Sequence, residues 1–255
     1  MPEPLLELQA LDRNFGGVQA VKGLSFSMSA SEVIGLIGPN GSGKSTSVNL
    51  ISGSLPPSGG DIRFDGRSVA ALPISERVPL GLARTFQTTS VFAEYSALEQ
   101  VLTACHARYR SGAFAAVLQR AAARREAAEQ REKAAGILEF VGLAEVAGEP
   151  ASALSSAQQR LLMIATALAT EPRLLLLDEP AAGMVASERK ALAELILRIR
   201  GRGIAVLVIE HHMGLIMEVC ERIVVLNFGQ KIAEGTPAEI QRNPAVIDAY
   251  LGGAH

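Results

Sequence analysis

The densest chemistry in the chain lies in the run Gly38-Pro39-Asn40-Gly41-Ser42-Gly43-Lys44-Ser45-Thr46. The spacing G-x-x-x-x-G-K-[S/T] wraps backbone N–H groups round phosphate oxygens, and glycines are needed because the backbone itself must approach the anion. Lys44 supplies a point charge for the β- and γ-phosphates, and Ser45 supplies a hydroxyl for Mg²⁺. A helix starting here adds the positive end of its dipole. The apolar run Val33-Ile34-Gly35-Leu36-Ile37 precedes the loop, and Ser45 to Ile51 can form the helix behind it. Strand, loop and helix therefore follow in the order a phosphate cradle requires, which a chance Gly/Ser turn does not. A bound nucleoside triphosphate is what this arrangement implies.

A second set of reactive groups closes Arg173-Leu174-Leu175-Leu176-Leu177-Asp178-Glu179-Pro180. This is a buried strand that delivers two carboxylates at its carboxyl end, the edge where open α/β sheets place ligands. A Mg-nucleotide needs one carboxylate for the metal and another to orient or polarise the attacking water. Asp178 suits the first role and Glu179 the second. His211 ends the strand Ile204–Ile209 after Glu210 and falls on the same edge. Gln87, after Arg84-Thr85-Phe86, carries little signal by itself. Ser155 and Gln158 stand at capping-box spacing before the apolar stretch Leu161–Leu168.

These residues must be held by a mixed architecture. Continuous apolar runs at Val33–Ile37, Leu174–Leu177 and Ile204–Ile209 read as buried parallel strands, and Ser187–Arg200 between them as a helix. The alternation gives an α/β fold with a parallel sheet. Leu5–Leu11 and Leu24–Met28 read as short strands joined through Gly16-Gly17, and Asp61–Gly66 as a sheet element ending in an Asp-Gly turn. From about Leu98 to Val141 the chain is rich in Ala, Arg and Glu without strand signal, and Arg125/Glu129 and Glu129/Lys133 are spaced to pair along a helix face. Thr236-Pro237-Ala238-Glu239 is a capping box with proline at the first helical position, and Asn243-Pro244 starts a second short helix ending at Gly252.

Composition removes several functional classes. The 255 residues carry 24 basic and 26 acidic side chains, a net charge of −2, which offers no global basic excess for nucleic acid or an acidic membrane surface. Cys105 and Cys220 lie far apart without metal-ligand spacing and read as reduced cytosolic thiols. Met1-Pro2-Glu3-Pro4 lacks a signal-peptide layout, and the apolar stretches at Leu161–Ala169 and Leu174–Leu177 are far too short for a bilayer span. Any membrane role is expected to come through partners.

The order phosphate loop, glutamine, Leu154-Ser155-Ser156-Ala157-Gln158, strand with Asp178-Glu179, then histidine resembles the nucleotide-binding subunit of an ABC transporter over about 90% of the chain. The likeness is strongest to ATP-binding subunits of branched-chain amino acid importers. It rests on Phe15-Gly16-Gly17-Val18, Arg84-Thr85-Phe86-Gln87, Asp178 through Met184, Ile209-Glu210-His211, Ala233 through Pro237 and Tyr250-Leu251-Gly252. The resemblance implies an ABC-type P-loop core with an N-terminal antiparallel β part, built from 1–87 and 165–235. It also implies an inserted helical subdomain at 88–164 and a C-terminal helical extension at 236–255. It implies ATP and Mg²⁺ as cofactors, with Phe15 stacking on adenine and the loop from Gly38, Pro39, Asn40, Gly41, Ser42 and Gly43 to Thr46 holding the phosphates. Gln87 would reach Mg²⁺ and water, with Ser45 and Asp178 as the other metal-side residues, and His211 would contact the γ-phosphate. Ser155, in the signature with Gln158, would bind the γ-phosphate held by a second, identical or different, ATP-binding subunit. Integral permease subunits would receive the segment after Gln87, and a periplasmic or extracellular solute-binding protein would act through them. That places the chain on the cytoplasmic face of the inner or plasma membrane.

The chain departs from the pattern where Ala157 replaces the usual signature glycine, Val185 an Asn or Asp, and His212 an Asp. Two other readings stay open: a regulatory nucleotide-gated module with weak hydrolysis, or a non-transport ABC ATPase. The latter usually needs a long coiled-coil insertion or two nucleotide modules. A GTPase would need an Asn-Lys-x-Asp stretch, which does not occur.

Overall fold

The computed structural model describes residues 3–85, 92–106 and 120–251. Two compact units divide the chain: Met1–Gln87 with Arg173–His255, and Thr88–Pro172.

The first unit contains two sheets. Strands β1 (Leu6–Phe15), β2 (Val18–Met28), β4 (Gly59–Phe64) and β5 (Arg67–Ser68) form an antiparallel sheet in the order β2-β1-β4-β5. Both early strands run longer than the sequence pattern suggests. Bulges between Leu8, Leu11 and Arg13 break the period of two, with Ala10 at φ 45°, while pairing continues. The Asp65-Gly66 turn, with φ 52° and 73°, reverses the chain between β4 and β5 as the Asp-Gly signal requires.

The second sheet has the order β10-β9-β3-β8-β7-β6, from β3 (Val33–Ile37), β6 (Leu82–Arg84), β7 (Leu174–Asp178), β8 (Ala205–Ile209), β9 (Arg222–Asn227) and β10 (Gln230–Gly235). The strands β9, β3, β8, β7 and β6 are parallel, and β10 is an antiparallel edge. Ile34, Leu36, Leu174, Leu176, Leu207, Ile209, Val224 and Leu226 lie at period two and join Leu8, Leu11, Leu24 and Phe26 of the antiparallel sheet in one buried cluster. Helix α1 (Lys44–Ser52) enters that cluster through Val48, Leu50 and Ile51. Its C-terminal carbonyls at Leu50 and Ile51 accept bonds of 2.7 Å from the buried Arg77 guanidinium, in the short helix α2 (Ile74–Arg77). This is a cation at the negative end of the helix. Burial pushes the Arg77 pKa down to about 10.

The second unit is helical: α3 (Ala97–His106), α4 (Arg120–Val141) and α5 (Ser156–Leu168). Lys133 pairs with Glu171, and not with Glu129 one turn along its own helix. The first unit is completed by α6 (Ala186–Gly201), α7 (Met213–Val219), α8 (Pro237–Arg242) and α9 (Pro244–Leu251). Among the described residues no helix is long and apolar enough to cross a membrane.

Candidate nucleotide site

Strand β3 sits between β9 and β8, so the loop it feeds emerges at the centre of the sheet's carboxyl edge. Gly38 has φ 152° and Gly43 φ 101°, and each lies against backbone. A Cβ at Gly38 would come within 2.1 Å of the Leu226 carbonyl oxygen, and one at Gly43 within 2.5 Å of that of Ala20. A third glycine, Gly229 in the β9–β10 turn, donates its N–H to the Ser42 carbonyl at 3.0 Å. The loop is thus gauged by neighbouring main chain.

Asn40, Gly41, Ser42, Gly43, Lys44, Ser45 and Thr46, with Ala20 and Glu179, line a cleft of about 190 Å³. Gly38 and Pro39 lie beneath, where their carbonyls accept bonds of 2.7 and 2.9 Å from the Lys44 ammonium. Burial holds the Lys44 pKa below its ordinary 10.5, against the opposing pull of the Glu179 charge. The Ser42 hydroxyl is buried and has no hydrogen-bond partner among the described residues. Ser45 is exposed and Thr46 half-buried.

Glu179 follows β7 in a left-handed conformation, φ 48°, immediately before Pro180. Its N–H donates to the Ile209 carbonyl at 2.8 Å, and its carbonyl accepts from Ala182 at 3.2 Å. Asp178 is 4% exposed, and its carboxylate accepts from the Arg84 guanidinium at 2.8 Å. Arg84 also donates to the Asn49 amide oxygen at 2.7 Å and the Ser52 hydroxyl at 3.1 Å, so it ties β6 and β7 to α1. Parallel pairing sets Asp178 opposite Ile209 and so brings Glu210 and His211 to the same edge. The His211 side chain is exposed, and its Nδ1 lies 3.8 Å from the Glu210 carboxylate. Phe15 is 44% exposed, with the Arg13 guanidinium 4.6 Å over one face of its ring.

Ser155 and Gln158 belong to the second unit and form a reciprocal capping box: the Ser155 N–H donates to Gln158 Oε1 at 2.9 Å, and the Gln158 N–H to Ser155 Oγ at 3.2 Å. A hydroxyl that accepts can still donate, so the capped serine keeps its proton for an anion. Ala157 occupies the first turn of α5. Gln87 lies outside the described residues. Arg84 and Glu210 stand out only once folded. The signal available in sequence was a charge set at the end of an apolar strand, which gives no partner.

The oxygens near the loop, Ser45 and Glu179 with Asp178 behind, are hard donors and too few to cage a metal alone. That donor set suits Mg²⁺, which takes one or two protein ligands beside phosphate and water.

A phosphate loop after the central strand β3 and a carboxylate pair at the end of β7, with β8 between the two, define an α/β nucleoside triphosphatase of the P-loop class. The "ABC transporter" family matches residues 21–182, and the "branched-chain amino acid ATP-binding cassette transporter" family matches residues 230–255. The chain belongs to the ABC transporter family, as one of its ATP-binding, ATP-hydrolysing subunits. It is 42% identical over the full length of both chains to the high-affinity branched-chain amino acid transport ATP-binding protein BraF of Pseudomonas aeruginosa. It is 41% identical, again over both full lengths, to the corresponding protein LivG of Escherichia coli. The solved ADP conformation of an ATP-binding cassette of an ABC transporter matches with a TM-score of 0.85 at 30% identity, covering 98% of this chain and 99% of that one.

Proposed function

We propose that the chain is the ATPase subunit that energises import of branched-chain or other hydrophobic amino acids. It would act at the cytoplasmic face of the membrane through integral permease subunits served by a solute-binding protein outside. The observation that carries the catalytic part is the single cleft holding the phosphate loop, Lys44 and Glu179. The full-length likeness to BraF and LivG, with the family match over residues 230–255, supports the substrate class.

In this reading Phe15 offers its uncovered face to adenine, the loop N–H groups bind the phosphates, and Lys44 exchanges its loop carbonyls for the β- and γ-oxygens. Glu179 orients the attacking water, with His211 and Gln87 at the γ-phosphate. Ser45, Asp178 and Gln87 would hold Mg²⁺, which supplies neutralisation of the phosphate charge. Ser155 and Gln158 serve the nucleotide of a second subunit, so hydrolysis requires two chains. The division into core, helical subdomain and C-terminal helical extension belongs to the same proposal.

Binding of a labelled ATP analogue and release of phosphate test it. Lys44→Ala abolishes binding, while Glu179→Gln keeps ATP bound and leaves only a small residual turnover. Unchanged turnover in Glu179→Gln removes that residue from its role. With the permease subunits present, a binding protein loaded with leucine stimulates turnover and one offered a polar amino acid does not.

A further inference from the structure

Glu210 is an anomaly in its surroundings. It is 1% exposed, directly after a strand whose residues are Ala, Val, Leu, Val and Ile. Burying a carboxylate is costly unless hydrogen bonds replace its water, and a valine would have ended the strand at no such cost. The bonds are supplied by backbone from two segments. Oε1 accepts from the Ala181 N–H at 2.7 Å, and Oε2 accepts from His211 at 3.1 Å and His212 at 3.2 Å. Ala181 lies in the turn that begins at Glu179 and is closed by Ala182. That turn is therefore held at two points on the end of β8: at Glu179 by the Ile209 carbonyl, and at Ala181 by the Glu210 carboxylate. A left-handed residue before proline is sustained only where its surroundings over-determine it.

We infer that Glu210 is a positioning residue that fixes Glu179 and His211 relative to each other. One oxygen holds the turn carrying the catalytic carboxylate, and the other holds the backbone of the γ-phosphate histidine. In this role Glu210 acts through those two backbone segments. This inference rests on the roles given above to Glu179 and His211.

Glu210→Gln is the test, because an amide fills the same space with one acceptor replaced by a donor, which must then face an N–H. A displacement of ~1 Å at reacting groups costs on the order of 10²-fold in rate. In the full-length chain kcat falls by about that factor, while KM for ATP, binding of the ATP analogue and Tm stay near parental. Added to Glu179→Gln, the same substitution lowers residual turnover by a smaller factor than it does alone, since one of the two groups it positions is already lost. A multiplicative further loss, a parental kcat, or a fall in nucleotide binding and Tm alongside kcat each overturns the inference. If Glu210→Gln does not fold, Glu210→Asp serves instead. It keeps the charge on an arm one methylene shorter that cannot reach both segments, so kcat falls with KM unchanged; an undiminished kcat overturns the inference. Glu179→Gln alone, run in parallel, separates the two claims. If it turns over normally the underlying reading fails, whereas if it is inactive and Glu210→Gln is normal only the positioning role fails.

Discussion

Glu179 holds its left-handed backbone at an energetic cost, about 1–2 kcal/mol for an L-residue. Glycine would relieve that strain, while adding unfolded-chain freedom worth about 0.4–1 kcal/mol. Glu179→Gly should therefore leave thermal stability equal or higher, by about 1.6 kcal/mol at most, while abolishing turnover. A melting curve beside a phosphate-release assay checks this, and a clear loss of stability would show that the carboxylate matters more to the fold than to the reaction. At this scale much could be read before folding. Glycines, lysine and hydroxyls at fixed spacing announce a phosphate cradle because the backbone conformation demands them. What could not be read is which buried charge meets which. The Arg84–Asp178 pair spans 94 residues and the bond from Ala181 to Glu210 spans 29, distances over which sequence pattern carries no information.

Caps and strands show the same division one level up. The boxes at Ser155/Gln158 and Thr236/Glu239 form as their spacing predicts, and a third at Ser96/Glu99, with the same spacing, escaped the reading. The parallel strands with unbroken apolar runs were legible. Strand β9 carries the equivalent run Ile223–Leu226 without a chemical residue to mark its end, β6 is only three residues long, and β10 is an edge strand with a mixed pattern. The caps also have a pH signature. Hydrogen bonds from Thr236 hold the Glu239 carboxyl below its ordinary 4.5, and Ser96 does the same for Glu99. A depressed folded value means that the unfolded chain binds protons first as pH falls. The contribution is therefore complete above pH 4.5 and is lost as pH drops through the lowered folded values. Replacing both by glutamine should lower Tm at pH 6, with the gap to the parent closing as pH falls below 4.5 through the lowered folded values. A gap constant across that range would mean that charge plays no part in these caps.

Across the whole molecule, the second unit occupies a single connection, between the neighbouring parallel strands β6 and β7. A parallel pair needs a crossover of a dozen or more residues in any case. Extending one to this length costs about 0.6 kcal/mol per doubling, roughly 2 kcal/mol here. Two units, each compact by itself, predict two calorimetric transitions. Saturating ADP should raise only the one belonging to the unit with the phosphate loop, by about 2.7 kcal/mol at a hundred times Kd. A single transition, or two moving together, would show the units melting as one. The glycines at 38, 43 and 229 bear on a different question, that of how such a cleft could ever be altered. Each would-be side chain there strikes a main-chain carbonyl: Leu226 for the first, Ala20 for the other two. Most binding sites diversify by exchanging the side chains that shape them. At these three positions the limit is set by main chain, which mutation cannot trim. A side chain at any of these three positions therefore breaks the cradle and cannot reshape it.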